Sequence, residues 1–117
     1  MTRNVPSAAL ASILLLASAS FAIAEPTPVG RWVAEDGTRI SVKPCRAGYC
    51  AEIASGAYSG QSVARVAGPG PDFKGTVRDP RSDTAYDGGL RLDGAALELR
   101  GCLAKVFCRT IQTWRRQ

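Results

Sequence analysis

From Gly30 onward the chain reads as short runs in which apolar and polar positions alternate, cut at short intervals by turn residues. Arg39-Ile40-Ser41-Val42-Lys43 alternates at period two, which predicts a half-buried strand with Ile40 and Val42 facing inward. The Glu35-Asp36-Gly37 stretch before it predicts a hairpin turn from the run Arg31 to Ala34. A second hairpin is expected with Cys45 opposite Cys50, which sets Val42 against Ile53 inside and Lys43 against Glu52 outside. Ala54 to Asp72 is loop-like, with one short strand over Gln61 to Val66. Phe73 to Val77 and Ala85 to Leu92 are strands separated by the polar turn Asp79-Pro80-Arg81-Ser82-Asp83. Asp93-Gly94 predicts the next hairpin, with Leu90 facing Leu97 and Asp87 facing Arg100. Within that strand Gly88-Gly89 marks a bulge or a sharp coil. The last hairpin, with Cys102 opposite Cys108, sets Leu99 against Ile111 and puts Glu98, Gln112 and Trp114 on the outer face.

About eight short strands with no helix among them predict an all-β fold, a small up-and-down antiparallel barrel. So few residues leave a narrow barrel, which Trp32, Ile40, Ile53, Phe73, Val77, Leu90, Leu97 and Ile111 are expected to fill. Tyr86 is predicted to point inward with them, whereas Trp114 is predicted outside. Lys43, Glu52, Asp87 and Arg100 on the outer face are wrong for a lipid-facing barrel, so the domain is not expected to span a membrane.

The segment before the first strand adds a compartment. Arg3, the apolar run Ala8 to Phe21 and Ala22-Ile23-Ala24 have the layout of a cleavable export signal over residues 1–24, leaving 25–117 as one domain. Only Arg3 of the 15 basic residues lies in the signal, so the remainder carries 14 basic against 10 acidic side chains. Periplasmic or secreted localisation is expected. Export to an oxidising compartment predicts two disulfides, Cys45 with Cys50 and Cys102 with Cys108, each bracketing a hairpin turn. Zinc is the lesser alternative for these four cysteines, since their spacings are wider than most zinc knuckles.

Chemistry is thin. The chain has no histidine, which removes histidine-dependent triads and ordinary catalytic zinc sites, and no nucleophile and base pair is legible. Neither an enzyme nor a cofactor is expected. Asp79, Asp83 and Asp87 read as turn formers before they read as a calcium site. The aromatics interleaved with the basic residues are too few for nucleic acid.

Gly30-Arg31-Trp32, the Cys45-Arg46-Ala47-Gly48-Tyr49-Cys50 run, Arg78-Asp79-Pro80 through Tyr86, Gly101-Cys102 and Trp114-Arg115-Arg116 stand in an order with a counterpart. The chain resembles the bacterial secreted family called domain of unknown function 2147, over Gly30 to Arg116. Ala54 to Asp72 is shorter than that family's segment, and Arg78 stands where it often has tyrosine. The resemblance implies a lipocalin-like (calycin) barrel and no established activity. It also implies that Arg116 covers Trp32 in a cation-π contact. Trp32, Tyr86 and Arg116 are then the residues expected to meet a ligand, a small apolar or amphipathic molecule at the barrel mouth. The alternative is a barrel that binds an envelope protein, or inhibits a protease, through the N-terminal arm Glu25 to Val29 or the Trp114, Arg115 and Arg116 surface.

Overall fold

The computed structural model describes residues 26–117. The expected export signal over residues 1–24, and Glu25, lie outside the described residues. Eight strands follow one another: β1 (Gly30–Val33), β2 (Arg39–Cys45), β3 (Gly48–Ile53), β4 (Ser62–Ala67), β5 (Asp72–Asp79), β6 (Thr84–Asp93), β7 (Ala96–Leu103) and β8 (Phe107–Arg116). Each pairs antiparallel with its neighbour in sequence, and β8 returns to β1 to close an up-and-down barrel. The period-two alternation supplies the interior. Ile40, Val42, Ala51, Ile53, Val66, Phe73, Val77, Leu90, Leu97 and Leu99 are buried, together with both tryptophans. On the outer face Lys43 pairs with Glu52 at 3.8 Å, Arg91 with Asp72 at 3.8 Å and Arg100 with Glu98 at 3.8 Å. A barrel immersed in lipid needs an apolar band there instead. Among the described residues no helix is long and apolar enough to cross a membrane.

Two hairpins are shifted by two residues from the expected pairing. Val42 faces Ala51, Ile40 faces Ile53, and Cys45 faces Gly48 across a two-residue turn that starts at Arg46 with φ 46°. The Cys45–Cys50 disulfide therefore runs diagonally, with its Cα atoms 5.7 Å apart. In the β6–β7 hairpin Leu90 faces Leu99 and Asp87 faces Cys102, so the expected partnership of Asp87 with Arg100 does not form. The turn there is Gly94-Ala95, with Gly94 at φ 59° in the first central position, where type II′ turns call for glycine. A shift of two conserves the face of every residue, which is why the buried set still matches the alternation. Gly88-Gly89 carries no bulge, because pairing with β5 and β7 runs through it unbroken. A Cβ on Gly89 would lie 2.1 Å from the Phe73 carbonyl oxygen, so the pair permits a close, sharply coiled approach of backbones.

The last hairpin departs by one residue, and that changes faces. Cys102 faces Cys108 and Arg100 faces Thr110 as the hairpin requires, but Leu99 then faces Gln112. Ile111 is the extra residue of a β-bulge. Beyond it Trp114 faces Leu97 and is fully buried, while Ile111, expected in the core, is 53% exposed. Energetics favour this exchange. Burying an indole removes 150–250 Å2 from water, worth about 4–6 kcal/mol, against about 1.5–3 kcal/mol for isoleucine and about 1 kcal/mol for a lost ladder bond. The indole Nε1 donates to Gln112 Oε1 at 2.9 Å, so its polar atom is satisfied. β8 has no glycine to mark the bulge; the space comes from its partner, where a Cβ on Gly101 would lie 2.7 Å from Ile111 Cδ1.

Trp114 and Trp32 are equally buried, so Trp114→Ala and Trp32→Ala should each cost about 3–5 kcal/mol in denaturant unfolding. A clearly smaller loss at Trp114 would contradict the bulged register.

Candidate functional site

An up-and-down barrel sends alternate turns to opposite ends, and here the two ends differ in character. One end carries the turns at 46–47, 68–71 and 94–95 together with the chain entering at 26–29. It is closed. Pro28 is fully buried, and the Trp32 indole Nε1 donates to the Pro28 carbonyl at 2.9 Å. The Arg116 guanidinium stacks 4.4 Å above the centre of the Trp32 ring. The same guanidinium donates from Nη1 to the Val29 carbonyl at 3.0 Å and from Nη2 to the Thr27 carbonyl at 2.8 Å. The implied Trp32 and Arg116 contact is therefore present, and both side chains are engaged with each other and with the arm. Residues 27–29 are held against the barrel. Trp114, expected on the surface beside Arg115 and Arg116, belongs to the core instead, which removes the aromatic from that patch.

The other end carries the turns at 34–38, 54–61, 80–83 and 104–106. Of the large hydrophobic residues that are exposed among the described residues, Tyr58, Tyr86, Leu103, Val106 and Phe107 lie on these turns or on the strand ends beside them, and Ile111 is the bulge residue in the middle of β8. Tyr86 was expected inside. It does occupy an inward position, opposite the buried Val77, but it is 47% exposed. At that level β6 has β5 beside it, while the pairing of β6 with β7 starts one residue later, at Asp87 with Cys102. The inner face thus runs on past the closed part of the barrel with no opposite wall. Leu103 and Phe107 continue it, facing each other as the last pair of the β7–β8 hairpin. Phe107 and Arg116 stand nine positions apart on β8, about 30 Å of strand, so the structure joins Trp32 to Arg116 and leaves Tyr86 at the far end.

Sequence reading missed Leu103, Val106 and Phe107. Their signal lay in Cys102-Leu103-Ala104-Lys105-Val106-Phe107-Cys108, a disulfide-bracketed turn made of apolar residues and one lysine where glycine, asparagine or aspartate is usual. The Cys102–Cys108 bond forms with its Cα atoms 4.0 Å apart, and all four cysteines are oxidised. Val106 N donates to the Leu103 carbonyl at 3.2 Å across a turn whose central residues, Ala104 and Lys105, have φ 52° and 64°. Such a left-handed pair suits Asn-Gly far better.

The three candidate carboxylates do not converge. Asp79 accepts from the Arg81 backbone N–H at 2.9 Å and from its guanidinium at 3.3 Å, and Asp83 accepts from Arg78 Nη1 at 2.6 Å. Asp87 stands on β6 opposite Cys102. The first two act as turn partners. The guanidinium and the backbone N–H of Arg81 hold the Asp79 carboxyl below the ordinary value of 3.8. Two open concavities measure about 520 and 550 Å3, and Asp87 lines the second. The first crosses outward residues of β1 to β3, among them Arg31, Ser41 and Lys43; the second is floored by Gly75 and Gly89 and rimmed by Arg100, Lys105 and Val106. No family model, no curated protein and no solved structure matches the chain.

Two outcomes follow from this geometry. Asp79 should titrate below 3.8 by NMR and move back toward it in Arg81→Gln. Because its folded pKa is lowered, its contribution to turn stability is present above the unfolded value and lost as pH falls through the folded one. No downward shift in the wild type would refute the pairing. Replacing Ala104-Lys105 by Asn-Gly should relieve the left-handed strain and raise unfolding stability by about 1–2 kcal/mol. An unchanged or lowered stability would refute the turn conformation.

Proposed function

We propose that the protein is a non-enzymatic binding module of the cell envelope, exported to the periplasm or beyond, that takes an amphipathic molecule at its open end. The observation that carries this reading is the run of the inner face past the closed barrel, through Val77, Tyr86, Leu103 and Phe107. The interior offers less. Both tryptophans and the strand aliphatics occupy it, and the Trp32 end is sealed by Pro28 and Arg116. Apolar side chains left in water with basic residues beside them suit a molecule that has both an apolar part and an anionic one. Tyr86 then keeps its expected role as a ligand contact, whereas Trp32 and Arg116 act by holding the barrel shut.

The exported setting is supported by the two disulfides, which persist in oxidising compartments. Membership of the domain of unknown function 2147 family is part of the same proposal. The barrel and the Trp32 to Arg116 stack support it.

Anilinonaphthalene sulfonate, an amphipathic anion whose emission rises in apolar surroundings, should bind the wild type at this end. Leu103→Ser combined with Phe107→Ser should weaken its binding about tenfold or more, since each buried side chain of this size is worth roughly 1.5–3 kcal/mol. Lys43→Gln, on the outer face of β2, should leave binding unchanged. If the double variant binds the dye as the wild type does, the open end is not the site.

A further inference from the structure

We infer that the β7–β8 hairpin is a membrane-docking finger, which seats Leu103, Val106 and Phe107 in the interfacial zone of an anionic lipid bilayer with Lys105 and Arg109 at headgroup level. The inference rests on the proposed binding role of the open end and names its partner. Leu103, Val106 and Phe107 are 75%, 74% and 75% exposed, more than any other large hydrophobic side chain described. They stand on and beside a turn of three residues, so the apolar element is a tip, and only Val106 of the three borders a concavity. A fluid bilayer can close around such a tip and cover more of it than a single amphipathic molecule does.

Charge selects the kind of surface. From Leu99 to Ile111 the chain carries Arg100, Lys105 and Arg109 and no acidic residue; Glu98 just before it pairs with Arg100 at 3.8 Å, which leaves Lys105 and Arg109 as the cations of the tip. Of the acidic groups at the same end, Asp79 and Asp83 are each paired with an arginine, Arg81 and Arg78, and Asp87 faces Cys102 on β6. Glu35 and Asp36 stand on the β1–β2 turn, which meets β8 at Arg115, eight positions along the strand from Phe107. A second copy of this chain would bring one cationic tip against another. Three side chains at a hairpin apex also offer far less than the roughly 800 Å2 per partner of a standard protein interface. Apolar residues at an apex flanked by cations match the layered chemistry of an anionic bilayer, apolar within and negative at its surface.

The hairpin is also prepared for this. The Cys102–Cys108 bond fixes the loop, so docking orders little chain. Lys105 holds a left-handed backbone position where glycine would sit without strain, which places a cation at the apex beside Val106. The turn is closed by its own backbone hydrogen bond, as shallow insertion demands of polar main-chain groups.

The test is co-sedimentation of the oxidised protein with large vesicles of phosphatidylglycerol in phosphatidylcholine, beside vesicles of phosphatidylcholine alone. The wild type should bind the anionic vesicles, and loss of each cation should weaken binding by roughly fivefold, so that Lys105→Gln with Arg109→Gln shows a loss of about twenty-five-fold. Phe107→Asp and Val106→Asp should each abolish binding while near-ultraviolet dichroism of the buried tryptophans stays that of the wild type. In a Phe107→Trp variant, emission from the new tryptophan should be quenched by brominated lipid. Failure of the wild type to bind either vesicle while it still binds anilinonaphthalene sulfonate would overturn the membrane finger and leave the open-end reading standing. Equal binding to both vesicle types, or binding that survives Phe107→Asp, would overturn it as well. So would self-association at the tip in place of vesicle binding.

Discussion

The barrel depends on its narrowest seam. Seven of its eight strand contacts join neighbours in the chain, whereas β1 meets β8 through two residue pairs, Trp32 with Arg116 and Val33 with Arg115. A ladder so short supplies little by itself. What holds it is the stack of the Arg116 guanidinium on the Trp32 ring, with the two hydrogen bonds from that guanidinium to the backbone at Thr27 and Val29. One side chain from the end of the chain thereby fastens the first strand, the entering arm and the last strand together. Stacking and hydrogen bonding use different parts of the guanidinium, its face and its edge, so the contacts do not compete.

The bulge in β8 is what makes that seam possible. Alternation at period two puts Trp114 and Arg116 on one face, so whatever brings Arg116 over Trp32 also carries Trp114 inside. A sequence reading that joins Arg116 to Trp32 while leaving Trp114 outside contradicts itself, and the contradiction was visible in the spacing of the two residues. Ile111 resolves it. By dropping out of the ladder it turns the last five residues of β8 over, and Gly101 on the neighbouring strand gives it room.

Legibility followed this division between face and register. Faces were readable because alternation records them directly, and shifts of two in the Cys45–Cys50 and Gly94 hairpins left Val42, Ile53, Leu90 and Leu97 in the core. Register was not readable at that level. It depends on which residue takes the left-handed turn position, and Arg46 gives no compositional sign of doing so. The closed end could be anticipated from Trp32 and Arg116, which resemble a known pairing. The open end could not, because alternation says that Tyr86 points inward but is silent on where the facing wall stops. The apolar tip between Cys102 and Cys108 was hidden by a habit of reading hydrophobic residues as core.

Both disulfides link a cysteine to the next one along the chain, at separations of 5 and 6 residues. In a chain threaded across a membrane from its N-terminus, Cys50 is the first thiol that Cys45 can meet, and their bond can close before Cys102 has emerged. Oxidation in that order of arrival would give the native pairing with nothing to reshuffle. Each strand likewise finds its partner in the segment that has just preceded it, and the one meeting that must wait for the whole chain is that of β8 with β1. The long-range cost of assembling this barrel is concentrated in two pairs, Trp32 with Arg116 and Val33 with Arg115.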